Sequence, residues 1–446
     1  MLFLLQITKY LMNSTSGHSI GTYSKVITSS IVGNLLEWFD FALYGYMAPF
    51  IAPKFFPNES KLAATLSVFA VFAVGYLARP IGALVLGRVG DKIGRRALLY
   101  ISIMILGLSS CAIGLLPTYE TIGVFAPILL VLLRLAQGFS VGGEYTGSMT
   151  YTSEFSMRKM RGFISSFATT GTMLGILLAS GAAWGTRMAL GDEVLADWGW
   201  RVPFLFGIIV AFFGVMIRRH IPETKDIHSE SYVSTSEKSI LIVLKKYWKE
   251  MAKIICIVTG ANVALYIVFV YAVDFSISRL GSSNVEIMNS IGLAITIPTT
   301  ILGGWLSDKY GRRKISIITN GIIILLAIPV LYMCLFFDSG FLNLNIGNQY
   351  IFLTGQVLMA IPIGLVLGVQ GAMVAELLPK DVRCTVFSVA YSLAMALFAG
   401  TSPMVAAWMI HLTNNALLPA LYIIFWVFLA VVSVVRSPET VGKEIN

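Results

Sequence analysis

Twelve apolar runs, each long enough to cross a bilayer as a helix, account for most of the 446-residue chain. They lie near 27–51, 62–87, 97–116, 122–150, 163–186, 201–219, 252–276, 286–306, 314–337, 349–375, 384–410 and 415–435. About 20 helical residues span a hydrocarbon core. Lipid cannot hydrogen-bond an exposed backbone, so continuous helices are the expected crossing element. A transmembrane barrel would show short alternating segments instead, and the sequence has none. Hydrophobic residues make up 57% and charged residues 12% of the chain. That leaves too little polar surface for a water-soluble globule.

The net charge of +9 is distributed by loop rather than by face. With cations at the ends of these runs counted in the adjoining loops, 25 of the 32 Lys and Arg fall in the termini and even-numbered loops. Lys54, Lys61, Arg187, Arg201 and Arg279 fall in odd-numbered loops, and Arg79 and Arg134 fall within spans. This asymmetry is the positive-inside pattern, which puts both termini and the even loops in the cytoplasm. It also excludes a nucleic-acid footprint as the source of the basic balance. The four cysteines, Cys111, Cys256, Cys334 and Cys384, are scattered, which argues against a metal site or a disulfide framework. The opening MLFLLQITKY lacks the basic region and small-residue cleavage site of a signal peptide.

The chain repeats itself. GRVGDKIGRR at Gly87–Arg96 returns as GWLSDKYGRR at Gly304–Arg313, 217 residues later. A Glu precedes an Arg by seven residues after the fourth span (Glu154/Arg161) and again after the tenth (Glu376/Arg383). Two duplicated loops imply two six-helix halves. The expected organisation is a cytoplasmic N-terminus (1–26), a first bundle (27–219), a cytoplasmic linker (220–251), a second bundle (252–436) and a cytoplasmic tail (437–446). SILIVLKKYWKEMAK, Ser239–Lys253, has the basic amphipathic character of an interfacial helix.

The repeated Gly-x-x-x-Asp-Lys-x-Gly-Arg-Arg resembles the signature loop of the major facilitator superfamily. GNLLEWFDFALYG (Gly33–Gly45), Arg79–Arg96, RLAQGFSVGGEYTG (Arg134–Gly147), WGWRVPFL (Trp198–Leu205) and Glu376–Pro403 are similar to the metabolite:proton symporter family within it. That resemblance implies an all-α membrane fold of two pseudo-symmetric six-helix bundles that alternate access by rocking. It also implies signature loops acting as cytoplasmic latches: Gly87, Asp91, Arg95 and Arg96 in one half, Gly304, Asp308, Arg312 and Arg313 in the other. Glu154, Arg161, Glu376 and Arg383 are expected to join them, with Glu144 as a gate or packing partner. The family carries proline and betaine, 2-oxoglutarate, citrate, dicarboxylates and shikimate. The stretches TSPMVAAWMI and Leu417–Thr440 look closest to its proline/betaine branch. The long coiled-coil extension of osmosensing members does not follow the last span, so activation by that device is not expected.

Ionisable side chains inside spans are costly and are read as functional. Asn34, Glu37, Asp40 and Tyr44 follow at spacings of three and four, one side of the first helix, expected to face a central cavity. Arg134 begins a similar stripe through Gln137, Val141, Glu144 and Ser148 in the fourth span. Arg keeps its proton, but it holds an ionised carboxylate and releases a protonated one. Related sugar:proton symporters use an Asp of the first helix and an Arg of the fourth in this way, and Asp40 and Arg134 match those positions. The expected proton-coupling set is therefore Asp40, then Glu37, with Arg134 as partner. Arg79 is available to snorkel, to pair with a carboxyl or to meet a substrate carboxylate.

Tyr44, Gln137, Asn262, Tyr266, Gln370 and Tyr391 are candidate substrate contacts; aromatic faces suit quaternary ammonium groups. Gly171, Gly175 and Gly181 read as close helix packing. The Gly-Pro signature of antiporters is missing from the fifth span, which favours symport. The expected function is proton-driven import of a small organic solute of proline/betaine type by one chain in a bacterial inner membrane. It requires no cofactor, metal or nucleic acid. A proton-coupled dicarboxylate or 2-oxoglutarate carrier is the alternative, and a channel or facilitator without coupling is the reading from a different class. No HExxH, GxSxG or P-loop supports an enzyme or an ATP-driven pump.

Overall fold

In a computed structural model, residues 20–57, 61–93, 95–142, 144–208, 212, 216, 240–280, 284–335, 348–380 and 382–442 are described. The side chains of 20–25, 61, 62, 64, 65, 69, 87–93, 95–100, 240, 241, 278–280, 284, 348 and 349 lie outside that description. The first signature loop, with Gly87, Asp91, Arg95 and Arg96, is therefore seen only as the adjoining helices Arg79–Ile93 and Arg95–Leu115. The linker up to residue 239 also lies outside; its end forms the helix Ile240–Lys246, followed by Trp248–Tyr266.

The described residues are helices and connecting turns, without a strand. Among the described residues, ten helices are long and apolar enough to cross a membrane, with Ile101–Leu115 as a shorter apolar helix in the third run. The sixth run is described at Gly199–Arg201 and Val202–Leu205 and then mostly lies outside. Spans are less continuous than their composition implies. The second breaks between Leu77 and Arg79, and the fourth between Ser140 and Glu144. The seventh and eleventh keep their direction but widen into single π-turns at Ile267–Tyr271 and Met395–Ala399. Such turns leave a carbonyl out of register and recur where proteins bind or move. The fifth helix, Arg161–Asp197, changes direction at Gly191, whose φ of 79° favours glycine.

Glycine sets how closely these helices meet. A Cβ on Gly171 or Gly175 would lie 2.4 or 2.5 Å from a carbonyl oxygen of the first span, Ile31 or Leu35. Across the two halves, Gly162 opposes Gly304: a Cβ on Gly304 would stand 2.4 Å from the Gly162 carbonyl oxygen. Any larger residue would separate the fifth and eighth spans, which form the main contact between the halves. The seam is completed by the second and fourth spans on one side and the tenth and eleventh on the other. The seam thus brings the fifth span against the eighth, with Gly162 and Gly304 at the point of closest approach.

Candidate functional site

At the basic-loop end, the duplicated Glu and Arg residues pair reciprocally across the seam. Arg161 Nη1 of the first half donates to Glu376 Oε1 of the second at 3.0 Å. Arg383 Nη1 of the second half donates to Glu154 Oε1 of the first at 2.5 Å. Each half supplies one acid and one base to its partner. Glu376 also accepts Arg312 Nε and Nη2, both at 3.2 Å, and Thr440 Oγ1 at 2.5 Å. With Arg161 this makes four bonds on one carboxylate, as many as its lone pairs accept.

Asp308 of the second signature loop reaches across the same seam. Its two oxygens accept the backbone N–H groups of Gly162 (2.9 Å) and Phe163 (2.7 Å). Those are orphan donors at the positive start of the fifth helix, so a carboxylate there is doubly favoured. Arg312 Nη1 lies 2.7 Å from Asp308 Oδ1. Gly311 turns the loop with a φ of 103°. Glu439, beyond the last span, accepts the N–H groups of Arg312 (3.0 Å) and Arg313 (3.1 Å) and so caps the ninth helix. Glu144 is half-buried at the start of its helix segment.

The opposite end is closed by other residues. Arg187 Nη1 of the fifth helix meets Glu286 Oε1 of the eighth at 3.1 Å, and its Nε meets Asp192 at 2.5 Å. Ser180 and Ser290 hydroxyls lie 2.9 Å apart across the seam. Asn289 Nδ2 donates to the Tyr46 hydroxyl at 3.2 Å, and Tyr46 donates to the Phe269 carbonyl at 3.3 Å. The seam is thus bridged at both ends.

Between the ends lie two buried guanidinium groups. Arg134 Nη1 donates to Gln137 Oε1 at 2.9 Å, and Gln137 Nε2 donates to Asp40 Oδ2. Gln137 therefore stands between the expected partners and relays one to the other. Arg134 is ringed by Phe41, Tyr44 and Phe72, its Cζ at 4.5, 4.4 and 5.6 Å from their centroids. Glu37 instead pairs with Arg79, Nη1 to Oε1 at 2.7 Å. The break after Leu77 starts a new helix at Arg79 and delivers that side chain to the seam.

The polar stripe of the first span therefore divides. Asn34 donates to Ser148 (2.9 Å) and to the Ala168 carbonyl (3.0 Å), and Asp40 faces the fourth span. The small cavity at the seam is lined instead by Trp38, Phe72, Tyr266 and Phe269, among others. Of the six candidate substrate contacts, Tyr266 lines it. Tyr44 stacks on Phe72 and Gln137 bridges Arg134 to Asp40. Tyr391 packs on Tyr145 with centroids 5.0 Å apart. Asn262 bonds back to the Val258 carbonyl and Gln370 to the Ile257 carbonyl, both at 2.8 Å. Sequence reasoning missed Arg187 with Glu286, and Glu439 with Thr440. The second pair had a signal: Pro438-Glu439-Thr440 repeats Pro222-Glu223-Thr224 at an offset of 216.

Comparison with known proteins points one way. The Major Facilitator Superfamily profile matches residues 31–344. The proline/betaine transporter of Escherichia coli K12 is 30% identical over 96% of this chain and 85% of its own length. The glycine betaine/proline/ectoine/pipecolic acid transporter of Dickeya dadantii is 31% identical over the same shares. A putative proline/betaine transporter of Staphylococcus aureus is 34% identical over 90% and 84%. Among solved structures, a D-xylose-proton symporter superposes with a TM-score of 0.72, covering 95% of this chain and all of that one at 20% identity. The proton:xylose symporter bound to 6-bromo-6-deoxy-D-glucose gives 0.71, at 18% identity over 96% and 98%. The latter two speak to the fold.

Proposed function

The chain belongs to the Major Facilitator Superfamily as a multi-pass membrane transporter rather than an enzyme, and we propose that it imports a small proline- or betaine-type solute by proton symport. The reading takes the basic-loop end as cytoplasmic, on the charge asymmetry, in a bacterial inner membrane with both termini inside. One chain suffices, and the proton gradient replaces a cofactor.

The observation that carries the coupling is the sealed chain Asp40–Gln137–Arg134. All three are fully or almost fully buried, Asp40 being 3% exposed. An ionised Asp40 balances Arg134 through the amide of Gln137. Protonation of Asp40 removes that balance and leaves Arg134 as a buried cation needing a new arrangement. A charge that low dielectric magnifies gives the proton leverage over helix packing. Glu37, already paired with Arg79, is the secondary site. The seventh and tenth spans have no equivalents of Asp40 and Arg134, so the fuel chemistry belongs to the first half.

Replacing Asp40 by Asn in proteoliposomes tests this. Uptake of labelled glycine betaine or proline driven by an imposed pH gradient should fall to the diffusional background, while exchange at equal pH survives. Proton-driven accumulation at the wild-type level would remove Asp40 from the role. Counterflow separates a carrier from a channel, because a channel shows neither saturation nor trans-stimulation.

A further inference from the structure

We propose that Arg79 is the seat of the solute's carboxylate, with the cationic or apolar body of the solute against Trp38 and Tyr266 in the adjoining cavity. This rests on the carrier reading above and names the chemistry of its site. Arg79 is 2% exposed, and Nη1 is engaged by Glu37. Its Nε and Nη2 are buried and have no hydrogen-bond partner. Those two N–H groups form one edge of the guanidinium plane, the edge that takes both oxygens of a carboxylate. Charged donors left unpaired in a sealed interior are destabilising, and the proton chain of Asp40 does not use them.

Arg134 has the same two atoms unpartnered, so position has to decide between them. Arg134 is enclosed by rings of the first half. Arg79 is ringed by first-half residues too, with Phe41 at 4.4 Å, but its neighbours reach across the seam. Its Cζ is 4.5 Å from the Tyr76 ring, and the Tyr76 hydroxyl lies 2.7 Å from that of Tyr266 in the second half. It is 5.6 Å from the Trp38 ring, which meets Tyr145, which in turn meets Tyr391 of the second half. A solute passed between rocking halves has to touch both. Trp38 and Tyr266 are also walls of the seam cavity, together with Phe72 and Phe269. Arg79 is not itself a wall of that cavity but stands 5.6 Å from its Trp38 wall, an arrangement that suits a zwitterion: carboxylate on the Arg, ammonium or ring methylenes on the π faces. Glu37 then acts as a positioning residue, holding Nη1 so that the other edge stays aimed.

The test uses the full chain in proteoliposomes at equal pH, so that proton coupling does not enter. Counterflow of labelled glycine betaine, L-proline and 2-oxoglutarate is measured with choline as competitor. Choline keeps the trimethylammonium of betaine and replaces the carboxylate by a hydroxymethyl. Wild type is expected to prefer betaine over choline by at least ~50-fold, the scale of a buried charge-assisted pair. Because R79Q alone removes the countercharge 2.7 Å from Glu37, the deciding variant is E37Q/R79Q, which removes both charges; heat unfolding in detergent checks that it folds. It should lose the preference, with betaine half-saturation rising to that of choline, while E37Q alone, which keeps the guanidinium but loosens its aim, should lose only part of it. A folded E37Q/R79Q that still prefers betaine overturns the assignment, as does a wild type that exchanges choline as readily as betaine. If 2-oxoglutarate is exchanged and betaine and proline are not, the proline/betaine reading fails by itself. Arg79 is then judged on 2-oxoglutarate: a loss of at least ~50-fold in E37Q/R79Q supports it and an unchanged half-saturation sinks it.

Discussion

The two ends of the seam are closed by opposite strategies. At the basic-loop end, duplicated residues exchange partners: Glu154 with Arg383, Glu376 with Arg161. Asp308 adds two backbone donors from the other half, and Glu376 is saturated by four bonds. At the opposite end a single Arg, Arg187, is shared by Glu286 and a 60%-exposed Asp192, and one oxygen of Glu286 has no partner. Exposed pairs contribute little and buried saturated ones resist being broken. Built this way, the molecule closes one end by a two-fold symmetric clasp and the other by a single cross-seam ion pair, Arg187–Glu286, beside the neutral Ser180–Ser290 and Asn289–Tyr46 hydrogen bonds. The difference teaches that symmetry is spent where the stronger closure is needed, and that the weaker end should open first.

The largest effect that breaks the contrast should come from Glu376→Gln. It leaves Arg161 and Arg312 buried against a neutral acceptor, a loss of about 3 kcal/mol or roughly 100-fold in the open-to-closed ratio of that end. Cys384, half-buried and next to Arg383, reports it through maleimide labelling in a Cys111→Ser, Cys256→Ser, Cys334→Ala background. Labelling should accelerate at least tenfold. An unchanged rate would mean that the clasp does not hold the end shut. Glu154→Gln should act in the same direction more weakly, by about 1–2 kcal/mol, because Glu154 holds one Arg and is 24% exposed. The charge swap E154R/R383E should restore slow labelling if reciprocity, rather than local fold, carries the effect.

Much of the clasp was legible in the sequence, and the reason is chemical. Glu154/Arg161 and Glu376/Arg383 recur at one spacing because each acid needs its partner's base, and Gly304 sits where the fifth and eighth spans touch. The opposite gate was illegible. Arg187 follows an apolar run directly and reads as a loop cation, and its acid, Glu286, comes 99 residues later in the other half. Gln137 stood in plain view on the Arg134 stripe, but a neutral amide gives no sign of whether it meets solute or bridges two charges. The breaks after Leu77 and Ser140, which aim Arg79 and divide the fourth span, lie inside unbroken apolar runs, where composition carries no angular information.

Glu286→Gln sharpens the comparison from the other side. It weakens the closure opposite the clasp by about 1 kcal/mol, since only one of the bonds to Arg187 comes from Glu286. The population should move toward that end being open, and Cys384 labelling should therefore slow by about two- to fivefold. Faster labelling would show that the two ends are not alternately coupled.

An effect as small as that of Glu286→Gln is expected from Thr440→Val, and it decides whether the tail belongs to the clasp. The Thr440 hydroxyl donates to Glu376 Oε2 while its neighbour Glu439 caps Arg312 and Arg313. Losing one hydrogen bond to a buried carboxylate costs about 1 kcal/mol, so Cys384 labelling should rise by only about three- to fivefold. The same substitution in the Glu376→Gln background is the sharper measurement. If Thr440 acts by filling the last lone pair of Glu376, its effect should vanish there, because the pair is already spoiled. If it adds in full, the tail steadies the ninth helix through Glu439 independently of the clasp. The contrast between the two ends would then rest on the reciprocal ion pairs and Asp308 alone.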